Sequence, residues 1–201
     1  MVAGIDNTII VLIGFAGAGK YTIGRELANR TGAKLIHNHL INNSLFTAIN
    51  ADGVTPLPAE IWPRIRQMRQ IVYATIRELS APELSFIFTM QLIEEDPLDH
   101  AAFADLVELA EARRSFFVPV RLLCQVDELC RRVTSPSRAA MLKQVSPDMA
   151  RARFSSKSVF TPAHPNLKTI DVTNRSAHES ATKILEEARL LAQSKLDPVN
   201  G

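Results

Sequence analysis

A glycine-rich turn between a strand pattern and a helix pattern constrains the fold of this chain more than any other feature. The run Thr8–Ile13 is apolar and β-branched, and the turn GFAGAGK follows it at residues 14–20. From Lys20 to Arg30 apolar residues recur with helical spacing, and Thr31-Gly32 is typical of a helix end. The face that this spacing predicts carries Ile23, Leu27 and Ala28. Strand, turn and helix together predict a βα unit, the building block of an α/β fold.

The residue types in this turn suit a phosphate group. Glycine permits positive φ angles and a close approach of the backbone, and a helix N-terminus contributes unpaired N–H groups and about half a positive charge. Lys20 adds a full charge, so we expect a nucleoside triphosphate to bind here, although an ordinary strand–helix turn is the competing interpretation. The predicted phosphate-binding residues are Gly14, Ala16, Gly17, Ala18, Gly19, Lys20, Tyr21 and Thr22.

Tyr21 departs from the usual form of such a turn. The residue after the lysine is normally Ser or Thr, whose short hydroxyl binds Mg²⁺. Thr22 does not simply replace it, because one residue turns about 100° around a helix. An acidic metal ligand is also missing after the third predicted strand, unless that strand continues to Ile93 and brings Glu94 to its tip. We expect ATP and Mg²⁺ as cofactors, with the metal ligands unassigned.

Length, charge and composition narrow the classes of function. The 201 residues suit one domain, residues 1–201, and the net charge of +2 gives no case for nucleic-acid binding. No apolar run approaches the roughly 18 residues that span a bilayer, and the first residues lack a secretory signal. We therefore expect a cytoplasmic protein, monomer or homodimer, with no membrane or nucleic-acid partner. Cys124 and Cys130 are expected to be free thiols.

Further strand patterns alternate with helical ones. Apolar runs predict strands at Ile9–Ile13, Lys34–Ile36, Leu84–Thr89, Phe116–Cys124 and Leu167–Val172. Helical stripes run through Ile61–Leu79 and Phe103–Ala110, and Ser176–Glu179 has the form of a capping box. Repeated βα units predict a three-layer α/β/α fold around a parallel sheet, with ligands beyond the carboxyl ends of its strands.

A basic segment follows the fourth predicted strand. Between Arg131 and Lys157 seven lysines and arginines face one acid, Asp148. The functional interpretation is a lid over about residues 134–157 that neutralises polyphosphate charge during phosphoryl transfer. The alternative is a solvated helix face. The two Ser-Pro pairs in the segment suit short hinged helices. The seven basic residues are Arg131, Arg132, Arg138, Lys143, Arg151, Arg153 and Lys157.

Two histidines follow the second predicted strand. A neutral imidazole of His37 or His39 is suited to accept a proton from a substrate hydroxyl, and either ring could bind a metal. The alternative is a polar strand end whose side chains cap the next helix. We take His37 and His39 as catalytic candidates beside Lys20 and Arg138. The other histidines, His100, His164 and His178, are expected at the surface.

Taken together, these motifs resemble the shikimate kinase branch of the nucleoside-monophosphate-kinase-like P-loop fold. The loop and helix GKYTIGRELANRTG match the family form GKSTIGRxLAxxxG, and CRRVTSPSRAAML matches its basic segment after strand four. The resemblance implies a five-stranded parallel sheet of order 2-3-1-4-5. It also implies that Arg132 lies near adenine, that Arg138 lies near the phosphates, and that Thr173, Asn174 and Arg175 line the base.

The departures from that family concern the acceptor. Shikimate kinases end strand two with an aspartate pair, where this chain has His37-Asn38-His39, and they follow strand three with a glycine-rich turn, where it has Thr89-Met90-Gln91. The chain is closer to uncharacterised shikimate-kinase-like proteins with a similar His-Asn-His segment. We expect an ATP-dependent small-molecule kinase that phosphorylates a hydroxyl of an acceptor other than shikimate. The alternative is a nucleotide-binding regulator or degenerate kinase with little transfer activity.

Overall fold

Parallel strands and helices alternate along the chain in a computed structural model that describes residues 5–139, 142–143 and 145–196. The strands are β1 Thr8–Ile13, β2 Lys34–His37, β3 Phe86–Met90, β4 Phe116–Leu123 and β5 Lys168–Asp171. The helices are α1 Lys20–Thr31, α2 Asn38–Ala48, α3 Ile61–Leu79, α4 Pro97–Ala112, α5 Val126–Val133, α6 Pro136–Ala139, α7 Pro147–Ser156 and α8 Ala177–Leu196.

The strands form a parallel sheet of order β2-β3-β1-β4-β5, which confirms the expected topology. β1 lies at its centre, and the side chains of Ile9 to Ile13 are fully buried. The register pairs Ile13 with Met90 and His37 with Thr89, so the carboxyl ends of β1, β2 and β3 reach the same edge. The turn that follows β1 and the histidines that follow β2 therefore lie on one side of the sheet.

Both helix-end predictions are confirmed. Gly32 ends α1 with a φ of 77°, and its N–H donates to the Ala28 carbonyl oxygen at 2.8 Å. Before α8, the Ser176 N–H donates to the Glu179 carboxylate at 2.8 Å, and the Glu179 N–H donates to the Ser176 hydroxyl at 3.1 Å. These reciprocal bonds satisfy N–H groups that a helix start otherwise leaves unpaired.

The predicted stripe of α3 is wrong at its last position. Ile61, Ile65 and Ile76 are buried, but Leu79, the last residue of the helix, is 81% exposed. Tyr73 points inward instead, and its ring meets Phe88 of β3 edge-on with centroids 5.7 Å apart. Strand bounds differ from the predicted ones by at most two residues, and β2 extends one residue further, to His37.

The described part of the predicted lid comprises residues 134–139, which include α6, then Leu142 and Lys143, and residues 145–157, which include α7. Residues 140, 141 and 144 of that prediction lie outside the described residues, as do 1–4 and 197–201 of the predicted single domain. Ser146 caps α7 by accepting the Met149 N–H at 3.3 Å. Within the described chain, even α3 and α8 lack the unbroken apolar length that crossing a bilayer requires.

Candidate functional site

The turn after β1 has the backbone conformation that its glycines predict. Gly17 and Gly19 have φ angles of 89° and 83°, a region that side-chain-bearing residues rarely adopt. A Cβ atom on Gly17 would also lie 2.9 Å from the Leu129 carbonyl oxygen of α5. Gly19 directly precedes α1, and none of the described side chains caps this helix start. The first N–H groups of α1 therefore face the turn, where an anion would be stabilised.

Lys20 lies across this turn. Its Nζ donates to the carbonyl oxygens of Gly14 at 2.6 Å and Phe15 at 2.7 Å. Burial, together with the positive charges of Arg138 and Lys143, lowers the pKa of Lys20 to about 7. An arriving phosphate would restore the charge of this ammonium, because a nearby negative charge favours the protonated form.

The other predicted residues of the turn differ in the groups that they offer to a ligand. The N–H of Ala18 is used within the turn, where it donates to the Phe15 carbonyl oxygen at 3.2 Å. Ala16 packs against the cluster that contains Cys130 and Val133, so only its backbone suits a ligand. Thr22 is exposed in the first turn of α1.

Tyr21, the residue in place of the usual Ser or Thr, is surrounded by cations and an imidazole. The Lys143 Nζ lies 4.5 Å from the Tyr21 ring centroid, and the Arg25 guanidinium lies 5.9 Å from it. The His37 ring meets Tyr21 edge-on with centroids 4.8 Å apart. The phenol therefore links the phosphate turn, the end of β2 and the basic segment.

Three cations gather beside the turn: Lys20, Arg138 and Lys143. Lys143 is only 8% exposed, and its backbone N–H donates to the Arg138 carbonyl oxygen at 3.1 Å. Burial and the charge of Arg138 lower the pKa of Lys143 to about 8, and burial lowers the pKa of Arg138 as well. Such a cluster is electrostatically unfavourable by itself and favours an anionic ligand.

His37 is the N-cap of α2, as the capping interpretation predicted for this strand end. Its Nδ1 accepts the Leu40 N–H at 3.2 Å. A neutral ring with an accepting Nδ1 carries its proton on Nε2, so His37 is a donor rather than a base. Burial and the charge of Lys143 lower the pKa of His37 and keep it neutral.

His39 has the opposite arrangement. Its Nδ1 lies 3.0 Å from the Asn43 Oδ1, which only accepts, so Nδ1 carries the proton and Nε2 keeps its lone pair. Burial and nearby positive charges lower the pKa of His39 to about 4, against the opposing effect of the Asn43 hydrogen bond. Those charges belong to Lys143, to Arg138 and, when its ring is protonated, to His37. Of the two histidines, His39 is the one suited to accept a proton.

Arg132 connects α5 to the segment that precedes α8. Its guanidinium donates to the Glu128 carboxylate at 2.6 Å and to the carbonyl oxygens of Val172 and Thr173 at 3.0 and 2.9 Å. Its Nη1 would lie 3.8 Å from a Cβ atom on Gly19. The structure thus brings together Arg132, the phosphate turn and the segment that the resemblance places beside the base.

Asn174 and Arg175 of that segment are exposed. The Arg175 Nε donates to the Asp171 carbonyl oxygen at 3.1 Å. The Thr173 hydroxyl donates to the Asp171 carboxylate at 2.6 Å and accepts the Gln125 N–H at 3.0 Å. These bonds hold the segment between β5 and α5.

Sequence reasoning missed polar residues on the α2–α3 side of the site. Arg69 of α3 donates through Nη2 to the Asn38 Oδ1 at 2.7 Å, and Asn38 donates its N–H to the Thr89 hydroxyl at 3.1 Å. Among the described residues, the buried Nε of Arg69 and the buried Oδ1 of Asn42 have no hydrogen-bond partner. Lone Arg and Asn residues within helices give no sequence signal, because only the tertiary fold shows their burial.

The described side chains of this region do not form a metal site. No group of three His, Cys, Asp or Glu side chains suited to a metal occurs in the part of the chain that the structure describes. β3 ends at Met90, and the Glu94 carboxylate accepts the Thr161 N–H at 2.7 Å, so Glu94 does not lie at the strand tip. We assign no metal ligand to the predicted site residues.

Other basic residues of the segment make surface ion pairs. Arg131 pairs with Glu128 at 2.6 Å and Arg151 with Asp127 at 2.8 Å. The solvated-face interpretation therefore holds for part of the segment, whereas Arg138 and Lys143 lie at the phosphate turn. Both cysteines are free and buried, and His100 and His178 are exposed as expected. His164 is only half-buried, with its ring against Phe117.

A cavity of about 400 Å³ adjoins the phosphate turn through Phe15 and Ala18. Most of its lining comes from the end of β4, from α5 and from α7 with the residues after it, and includes Leu129, Phe154 and Val159. Of the predicted site residues, Ala18 lines it. The cavity therefore does not coincide with the cluster of Lys20, Arg138 and Lys143.

No protein-family model matches the chain, and no curated protein sequence matches it either. Solved structures do share its fold. A gluconokinase from Sinorhizobium meliloti 1021 is 14% identical with a TM-score of 0.60, covering 94% of this chain and 96% of its own. A putative kinase from Chloroflexus aurantiacus j-10-fl is 18% identical with a TM-score of 0.61, covering 92% and 97%.

A shikimate kinase from Acinetobacter baumannii, solved with shikimate, is 21% identical with a TM-score of 0.53, and the match covers 94% of this chain and 95% of that one. At these identities the likeness concerns the fold. Together with the parallel sheet of order β2-β3-β1-β4-β5, these neighbours confirm the resemblance drawn from the sequence. The chain has the fold of the shikimate-kinase-like P-loop kinases.

Proposed function

We propose that this protein is an ATP-dependent small-molecule kinase that transfers the γ-phosphate to a hydroxyl group of an acceptor other than shikimate. The observation that carries the proposal is the cluster of Lys20, Arg138 and Lys143 at a glycine turn, with His39 beside it. The fold neighbours named as gluconokinase and shikimate kinase support the same class of reaction.

ATP binds with its phosphates in the turn from Gly14 to Thr22. Lys20 then exchanges the carbonyl oxygens of Gly14 and Phe15 for phosphate oxygens, which are stronger acceptors because they are charged. The base lies toward Arg132 and residues 173–175. Arg132 already bonds two carbonyl oxygens in that segment and so holds it near the turn.

Transfer forms one bond and breaks one. The acceptor oxygen bonds to the γ-phosphorus, the bond to the β–γ bridging oxygen breaks, and ADP leaves with that electron pair. The acceptor proton passes to the Nε2 of His39, whose lone pair the Asn43 bond leaves available. Lys20 and Arg138 stabilise the negative charge that spreads over the transferring group.

With a pKa of about 4, His39 is a weak base near neutral pH. It can act as the proton acceptor only if the bound ligand raises that pKa. The positive charges of Lys143 and Arg138 contribute to lowering it, and a bound polyphosphate offsets those charges. The pKa of His39 therefore rises toward its ordinary range once ATP is in place, which strengthens it as a base at the moment of transfer.

The acceptor binds on the α2–α3 side, where the chain carries buried polar atoms. Arg69 Nε and Asn42 Oδ1 lack partners among the described residues, and leaving such groups unpaired is costly unless a ligand bonds them. A guanidinium donates and an amide oxygen accepts, so this pair suits an acceptor that carries several polar groups. Asn38, to which Arg69 donates, follows His37 at the carboxyl end of β2.

The experiment that tests the proposal is ³¹P NMR of ATP and MgCl₂ incubated with the protein and a pool of polar metabolites. We expect ADP and a new phosphate-ester signal to appear together, and both to be lost in Lys20→Ala and strongly reduced in His39→Gln. ATP hydrolysis to free phosphate alone, in every fraction of the pool, would contradict transfer to a hydroxyl.

The second candidate function is a nucleotide-binding regulator or degenerate kinase. Tyr21 in place of Ser or Thr, and His37-Asn38-His39 in place of an aspartate pair, favour it. This candidate shares the nucleotide site and differs in chemistry. Saturable ATP binding without any phosphorylated product from the pool would support it over the kinase.

A further inference from the structure

The position that binds Mg²⁺ in a standard phosphate loop is occupied here by a different kind of contact. Tyr21 stands at that position, and its ring lies between the His37 ring, with centroids 4.8 Å apart, and the Lys143 ammonium, 4.5 Å from the centroid. The Lys143 ammonium lies over the Tyr21 ring, whose face attracts a cation. The phenol also lacks the short hydroxyl that binds the metal in other phosphate loops. Tyr21 therefore fits a cation from the protein better than a metal ion.

Lys143 reaches this position from the basic segment, far along the chain from the turn. It is 8% exposed, and the bond from its N–H to the Arg138 carbonyl oxygen at 3.1 Å fixes it next to Arg138. Its charge contributes to lowering the pKa of Lys20 in the turn and of His39 in the first turn of α2. The ring of Tyr21 in α1 contacts both the Lys143 ammonium and the His37 ring at the end of β2.

The number of positive charges near the turn indicates which form of ATP binds there. Lys20, Arg138 and Lys143 place three positive charges near the turn, and the α1 N-terminus adds about half a charge. Free ATP carries more negative charge on its phosphates than its magnesium complex does. Three clustered cations therefore complement free ATP better than they complement the metal complex.

We infer that Lys143, held on the Tyr21 ring, supplies the positive charge that Mg²⁺ supplies in other P-loop kinases, so that this protein binds ATP without a divalent metal. The inference rests on the proposed ATP site and concerns nucleotide binding rather than the acceptor. Tyr21 is the positioning residue, and Lys143 is the residue that contacts the phosphates.

Calorimetric titration of ATP at pH 7, in EDTA and in excess MgCl₂, tests the inference without relying on activity. We expect the wild-type affinities in the two conditions to agree within about threefold. Lys143→Gln should bind ATP at least about tenfold more weakly in EDTA and should regain part of that loss with MgCl₂. Lys143→Arg, which keeps the charge, should remain close to the wild type.

Lys34→Gln is the matched control, because Lys34 is an exposed lysine at the amino end of β2, on the side of the sheet away from the turn. It should bind ATP like the wild type in both conditions. Thermal unfolding of each variant establishes that a loss of binding does not reflect a loss of folding.

The outcomes that overturn the inference are distinct from those that overturn the proposed function. Wild-type binding at least about tenfold tighter with MgCl₂ refutes the inference and leaves the kinase proposal standing. Lys143→Gln binding equal to wild type in EDTA refutes it as well. If the wild type binds no ATP in either condition, both the inference and the proposed nucleotide site are wrong.

Discussion

The Nζ of Lys20 lies 2.6 Å from the Gly14 carbonyl oxygen, so Lys20 donates to the backbone of the same turn in which we propose that phosphate binds. Burial, Arg138 and Lys143 lower the pKa of that ammonium to about 7. The charged form of Lys20 is therefore disfavoured without a ligand, and a bound phosphate supplies the negative charge that favours its proton.

ATP affinity should consequently fall as the pH rises above 7. A phosphate raises the pKa of Lys20, so its contribution to binding is complete below about pH 7 and is lost as the pH rises toward the pKa of the bound state. The loss is at most about tenfold per pH unit for one proton. Titrations from pH 7 to 9, in buffers of different ionisation enthalpy, measure affinity and proton uptake together.

The control for this pH dependence is Lys20→Ala. Its affinity should be lower but should vary less with pH, although Lys143, with a pKa of about 8, retains part of the slope. An equally steep slope in Lys20→Ala would assign the titration to another group.

Arg138→Ala should lower the rate of transfer more than the affinity for ATP. Its guanidinium lies with Lys20 and Lys143, where charge develops during transfer, and removing one such group typically costs about 10²- to 10³-fold in rate. Arg153→Ala, from the same basic segment, is the control and should be near wild type. A loss confined to ATP affinity would place Arg138 in ground-state binding.

Tyr21→Ser should make ATP binding depend on Mg²⁺. The change removes the ring under the Lys143 ammonium and introduces the short hydroxyl that binds the metal in other phosphate loops. Tyr21→Phe keeps the ring and should behave like the wild type. Affinities measured with and without MgCl₂ should differ several-fold in Tyr21→Ser alone, and equal ratios in all three proteins would mean that the ring has no part in the metal response.

Arg132→Ala should weaken both the protein and its nucleotide site. The guanidinium bonds Glu128 and two carbonyl oxygens between β5 and α8, and charged hydrogen bonds are worth about 1.5–3 kcal/mol. Arg131→Ala is matched to it, because Arg131 also pairs with Glu128 but its side chain is 72% exposed. Thermal unfolding and ATP titration should show a change for Arg132 and none for Arg131. Equal effects would assign the role to Glu128.

His39→Gln should lower the transfer rate with little effect on ATP affinity, since it removes the proposed proton acceptor. General bases contribute about 10²- to 10⁴-fold. His37→Asn should retain more activity and the stability of α2, because asparagine is also a favourable N-cap. Rates at saturating ATP compare the two variants. A larger loss for His37→Asn would reverse the roles assigned to the two rings.

The sheet and the phosphate turn could be predicted because their signals are local. The run before Gly14 is buried on every residue of β1, and Gly17 and Gly19 adopt the positive φ angles that only such residues take easily. Helix ends at Gly32 and Ser176 were likewise readable, since capping depends on neighbours within four residues.

The acceptor side and the role of Lys143 could not be predicted, because they depend on contacts between distant segments. Lys143 reaches Tyr21 only through the folded basic segment, and Arg69 meets Asn38 only where α3 passes the end of β2. The two histidines were predicted as equivalent. Their different partners, the Leu40 N–H for His37 and the Asn43 amide for His39, separate a helix cap from a base.

The most direct test of a nucleotide site in the Gly14–Thr22 turn is the ATP affinity of Lys20→Ala beside that of Lys34→Ala. Loss of a charged hydrogen bond should weaken ATP binding by about 1.5–3 kcal/mol in Lys20→Ala, roughly tenfold to a hundredfold, with no change in Lys34→Ala. Wild-type affinity in Lys20→Ala would show that the nucleotide phosphates bind elsewhere.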